Sequence, residues 1–91
     1  MLIEHKESFF DVVKVGENLK RLRESKSLSL EDLVGVVLHG KVSIRVLSSW
    51  ENGDQLIPLE YLVKVCNYFN IRLSSILVFK NKYRHLSNIL I

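Results

Sequence analysis

The stretch Ser29–Gly53, SLEDLVGVVLHGKVSIRVLSSWENG, decides the fold. Ser29 is a helix-capping residue, and Asp32 stands three positions later, where a side chain can return the favour to the cap's own amide. Leu30, Leu33, Val34 and Val37 follow at 0, 3, 4 and 7, the spacing of one buried helical face. His39-Gly40-Lys41 breaks the pattern, and Ser43 can cap a further helix that stops where Asn52-Gly53 tolerates positive φ. This second helix of the stretch has two faces. Val46, Leu47 and Trp50 are expected to point inward, while Lys41, Arg45, Ser48, Ser49 and Asn52 recur at 0, 4, 7, 8 and 11 on a polar outer side.

Helical spacing extends in both directions. Upstream, Val15, Leu19 and Leu22 at 0, 4 and 7 predict a first helix from about Gly16 to Ser25 with a basic opposite face. Downstream, Pro58 suits the first turn of a fourth helix carrying Leu59, Leu62, Val63, Cys66 and Phe69, which Asn70 ends. Leu73, Ile76 and Leu77 allow a fifth short helix opening at or just before Ser74, after which Val78-Phe79-Lys80 fits a helix or an extended segment. The expected class is therefore all-α with five helices, divided into an N-terminal extension (1–15), a helical domain (16–78) and a C-terminal tail (79–91). The extension holds Leu2, Ile3, Phe9, Phe10, Val12 and Val13, and is expected to pack on the domain or on a second subunit. Leu86, Ile89 and Leu90 in the tail fit a one-sided helix suited to a dimer contact.

Composition excludes several functions. The 91 residues allow one domain and no large cleft between lobes. A single Cys66 excludes an intrachain disulfide and, with only His5, His39 and His85, gives no zinc spacing; no metal or cofactor is expected, and a reducing cytoplasm fits. No apolar run approaches the roughly 20 residues that span a bilayer, so no membrane partner is expected. Glu31 and Asp32 point about 100° apart on a helix and favour its first-turn dipole over acid–base catalysis. With no glycine-rich phosphate loop and no Ser-His-Asp or Cys-His arrangement, an enzyme is not expected. The net charge of +3 decides little, but KRLRESK (20–26) and KNKYRH (80–85) are basic clusters able to meet an anionic polymer or simply to face water.

Three pieces in order carry a family likeness: GENLKRLRESKSLSLEDL, then SSWENG, then PLEYLVKVCNYFNIRLSSIL. Over about Gly16 to Val78 the chain resembles the lambda-repressor-like helix-turn-helix proteins, the XRE family of small DNA-binding regulators. The resemblance implies a third helix that enters the major groove of double-stranded DNA while the second crosses the backbone. It places base-reading positions on Ser43, Ile44, Arg45 and Ser49, with Ser48 beside them, and phosphate contacts on Lys20, Lys26, Lys41 and Asn52. Arg45 is the leading base contact, because a guanidinium can pair bidentately with guanine. The resemblance further implies an ion pair between Arg23 and Glu51 that ties the first helix to the end of the third. The implied activity is a sequence-specific transcriptional regulator, a repressor acting by promoter occlusion as a homodimer.

The chain departs from that family at three points. Leu30 stands where a polar residue commonly meets the DNA backbone, about three extra residues lengthen the turn around His39-Gly40-Lys41, and Asp54 occupies a place where a basic residue is frequent. These departures motivate a second expectation, a protein-binding helix-turn-helix module of the antirepressor, inhibitor or antitoxin kind. Trp50 and Cys66 are read as core residues, and His39 as a solvated loop group.

Overall fold

Asp11 caps the first helix, which begins at Val12, four residues before the expected position. Its carboxylate accepts from the Lys14 amide at 3.1 Å, and α1 runs Val12–Ser25. The computed structural model describes residues 8–89; Leu2, Ile3, Leu90 and Ile91 therefore lie outside the described residues. The earlier start follows from burial: Val12, Val15, Gly16, Leu19 and Arg23 form one continuous inward stripe, so Gly16 lies inside the helix and does not begin it.

Ser29 and Asp32 form the reciprocal capping box, with Asp32 N to Ser29 Oγ at 3.0 Å and Ser29 N to Asp32 Oδ2 at 2.9 Å. The Ser29 backbone amide, and after it the Ser29 hydroxyl, stabilise the carboxylate and hold the Asp32 carboxyl below its ordinary value. The α2 helix (Leu30–Asp32) passes directly into a π-helical turn, Leu33–Val37, closed by a bond from Leu38 N to Leu33 O at 3.1 Å. His39 (φ 55°) and Gly40 (φ 69°) are both left-handed, and Gly40 N donates to Val34 O at 2.8 Å. The extra length expected around His39-Gly40-Lys41 is thus shared between a widened helical turn and a left-handed pair. Leu30 is half-buried and packed against the core, which gives its apolar side chain a structural reason.

Ser43 accepts from Val46 N at 3.1 Å and opens α3 (Ile44–Glu51). Pro58 is the cap of α4 (Leu59–Phe69), just outside the first turn, and Asn70 ends that helix in the left-handed conformation. A 3₁₀ turn at Leu73–Ser75 supplies the fifth helix of the domain, and a second 3₁₀ segment, Asn81–Ile89, carries the tail. Leu19, Leu33, Leu38, Leu47, Leu62 and Ile76 are essentially inaccessible and knit the elements into one core. Burying each such side chain contributes about 1.5–3 kcal/mol. Trp50 joins this core 5.6 Å from the Tyr61 ring, and Cys66 is buried, its thiol pushed up by desolvation.

Residues 9–11 meet residues 78–83. Phe10 and Phe79 form an antiparallel bridge and stack at 4.8 Å, Phe9 meets Tyr83 edge-on at 4.8 Å, and Asp11 N donates to Val78 O at 2.7 Å. Val78-Phe79-Lys80 is consequently extended, the second of its two expected conformations.

Candidate nucleic-acid interface

The placement of α3 is set at its C-terminal end. A Cβ on Gly16 would collide with the carbonyl oxygens of Trp50 and Glu51, so glycine there lets α1 lie directly against the last turn of α3. Gly53, at φ 80°, makes a second close approach to the same helix, where an added Cβ would stand 2.9 Å from the Val13 Cα. Further along α1 lies a bidentate ion pair to the same end of α3: Arg23 Nε to Glu51 Oε2 at 2.7 Å and Arg23 Nη2 to Glu51 Oε1 at 3.0 Å. Arg23 Nη1 also donates to the Leu28 carbonyl at 2.7 Å. Both residues are buried, and the carboxylate raises the guanidinium pKa above its ordinary value. A desolvated pair held by three hydrogen bonds fixes one orientation of α1 against α3.

The solvent side of α3 follows from that anchor. Leu47, Trp50 and Glu51 face inward, while Ile44, Arg45 and Asn52 are exposed and Ser48 and Ser49 half-exposed. Lys41 and Ser43 are exposed on the approach to the helix. Arg45 has no hydrogen bond, ion pair or ring contact among the described residues, so its fork of donors is available. The serines are partly committed. Ser43 Oγ accepts from the backbone as the cap and keeps its own proton to donate; Ser49 donates to Val46 O at 2.7 Å and keeps its lone pairs to accept. Asn52 Nδ2 makes a long bond to Ser48 Oγ at 3.5 Å.

Val46 corrects the sequence reading. It was expected to face inward beside Leu47, but it is 36% exposed. The buried arc of α3 runs over Trp50, Leu47 and Glu51 and is displaced away from Val46, which stands about 140° around the helix from Glu51. The two basic positions on α1 are separated. Lys20 is exposed within α1, one turn after Gly16, whereas Lys26 Nζ, at the cap that ends α1, lies 6.0 Å over the Phe69 ring at the end of α4.

Among the described residues, no helix is long and apolar enough to cross a membrane, and no group of three or more His, Cys, Asp and Glu is placed to hold a metal ion. An all-α unit whose capped second and third helices are joined by a turn, with the third helix presented outward, is a helix-turn-helix fold. The family pattern HTH_3: Helix-turn-helix matches residues 19–76, and the chain belongs to that family. Among solved structures, the restriction-modification controller protein C.AhdI from Aeromonas hydrophila is similar at 26% identity, over 72% of this chain and 96% of that one, with a TM-score of 0.63. The DNA-binding domain of BldD from S. venezulae shares the fold at 22% identity, over 74% of this chain and 96% of that one, with a TM-score of 0.62. No curated protein matches the chain.

Proposed function

We propose that the chain is a sequence-specific double-stranded DNA-binding transcription regulator that inserts α3 into the major groove. The observation that carries this reading is Arg45: an exposed and unpaired guanidinium on the outer side of a short helix whose other end is locked to α1. An α-helix fits the major groove, and a free guanidinium matches the guanine edge there. The similar structures support it, since one is a controller protein and the other a DNA-binding domain. Ser43, Ile44, Ser48 and Ser49 flank Arg45 as further base or sugar contacts, and Lys20, Lys41 and Asn52 supply phosphate contacts that set register. Lys26 reaches phosphate only at the edge of this footprint.

In this reading the protein acts as a homodimer on half-sites about one helical turn apart and represses by occluding a promoter. Residues 16–78 hold the DNA-reading unit, and the tail at 79–91 supplies the dimer contact. Ile89, 71% exposed, is the apolar group of the tail suited to it. The test is selection of bound duplexes from genomic fragments, followed by titration of the selected site at rising salt. Affinity is expected to fall steeply as counterions are released, by roughly one power of salt per phosphate contact. Lack of any duplex binding at low salt, together with stoichiometric capture of one protein partner, would favour the protein-binding module instead.

A further inference from the structure

The chemistry left available on α3 narrows which bases it can read; this step rests on the DNA-binding reading above. Adenine is read best by a bidentate amide and cytosine by a carboxylate. The amide nearest the face is Asn52, at the C-terminal cap with its nitrogen directed to Ser48. The carboxylate of α3, Glu51, is buried and taken up by both nitrogens of Arg23. The hydroxyls of Ser43 and Ser49 are each half-spent on the Val46 backbone. What remains is one free guanidinium and two branched apolar side chains, Ile44 (38% exposed) and Val46 (36% exposed), lying about 100° to either side of Arg45 on the helix. Neither belongs to the apolar cluster that forms the core. The thymine 5-methyl is the apolar feature of the major groove.

We propose that α3 reads a guanine next to a thymine: Arg45 takes the guanine O6 and N7, and Ile44, adjacent in the first turn, packs on the thymine 5-methyl. Val46 borders the same face and widens its apolar rim. The half-site is thus defined by a methyl group as much as by hydrogen bonds.

Replacing thymine with deoxyuridine removes that methyl and leaves base pairing unchanged, so the protein is tested in its native state. On the selected site, one thymine in each half-site is expected to lose about fourfold in affinity when replaced, the value of one buried methyl. Ile44→Ala should lose a similar factor on the thymine duplex and show no further loss on the deoxyuridine duplex, the coupling expected of a direct contact. Replacing the neighbouring guanine with 7-deazaguanine should weaken wild type and leave Arg45→Ala unaffected. Specific binding that is indifferent to deoxyuridine at every position would overturn the thymine contact while leaving the DNA-binding reading intact. Absence of binding to any duplex would overturn both.

Discussion

At its C-terminal end α3 is held against α1 by three contacts. Gly16 admits α1 against the carbonyls of Trp50 and Glu51, Gly53 admits Val13, and Arg23 clasps Glu51 in a buried pair. At its N-terminal end the helix has a serine cap and is preceded by a left-handed pair, and Ile44, Arg45 and Val46 all stand exposed. The difference separates two tasks within eight residues. Packing and a desolvated ion pair fix the angle of the helix, and the side chains free of packing are those that can meet a ligand. Substitutions at the held end should therefore change stability, as should loss of the Ser43 cap, and substitutions of the free side chains Ile44, Arg45 and Val46 should change recognition.

Glu51→Ala tests the held end most severely. It leaves Arg23 buried without its carboxylate, and a loss of about 3 kcal/mol is expected, read as a fall in melting temperature of at least about 12 °C. The paired replacement Arg23→Met with Glu51→Leu sharpens the point. Stability should largely return, because two apolar groups of similar volume carry no desolvation cost, while DNA affinity should stay low if the ion pair orients α3. Full recovery of both properties would show that the pair only holds the fold together.

Gly16→Ala comes next. The added methyl meets backbone oxygens that cannot rotate away, so about 1–3 kcal/mol should be lost in chemical denaturation. Ser43→Ala, at the free end, removes the α3 cap and should cost about 1 kcal/mol. Arg45→Ala should change stability by less than about 0.5 kcal/mol.

The smallest effect concerns pH. Asp32 has its carboxyl pKa lowered by the Ser29 amide and hydroxyl, so its contribution is complete above the unfolded carboxyl pKa and is lost as pH falls through the lower folded value. An Asp32→Asn protein should show a flatter acid limb in its stability profile. An acid limb identical to wild type would remove the capping box from the account.

Much of this architecture was legible because caps and turns are local. Ser29 with Asp32, Ser43, and Asn70 each announce a boundary through a bond or conformation that involves residues within one turn, and the Leu and Val stripes mark their buried faces. The stripe that begins at Val15 sets the expected start of α1 too late, whereas Asp11 followed by Val12 and Val15 marks the true start through a local cap. The π-helical turn at Leu33–Val37 has no local signature, and neither does the meeting of Phe10 with Phe79, which depends on groups 69 positions apart. Val46 was misread for a similar reason. Apolar spacing assigns it to the interior, but the interior arc is displaced toward a charged residue whose partner lies on another helix. The Arg23–Glu51 connection itself rested on family resemblance, since neither residue type signals burial on its own. For the candidate interface, the sequence indicates which residues share the outer side of α3, but only the structure shows which of their polar atoms are already engaged.

The most direct test of the central claim is the base preference of wild type and Arg45→Ala, measured by selection on the same randomised duplex library. Equal thermal stability together with loss of preference at one guanine per half-site is the predicted result. An Arg45→Ala protein that selects the same sequence as wild type would contradict the claim that the free end of α3 reads DNA through this side chain.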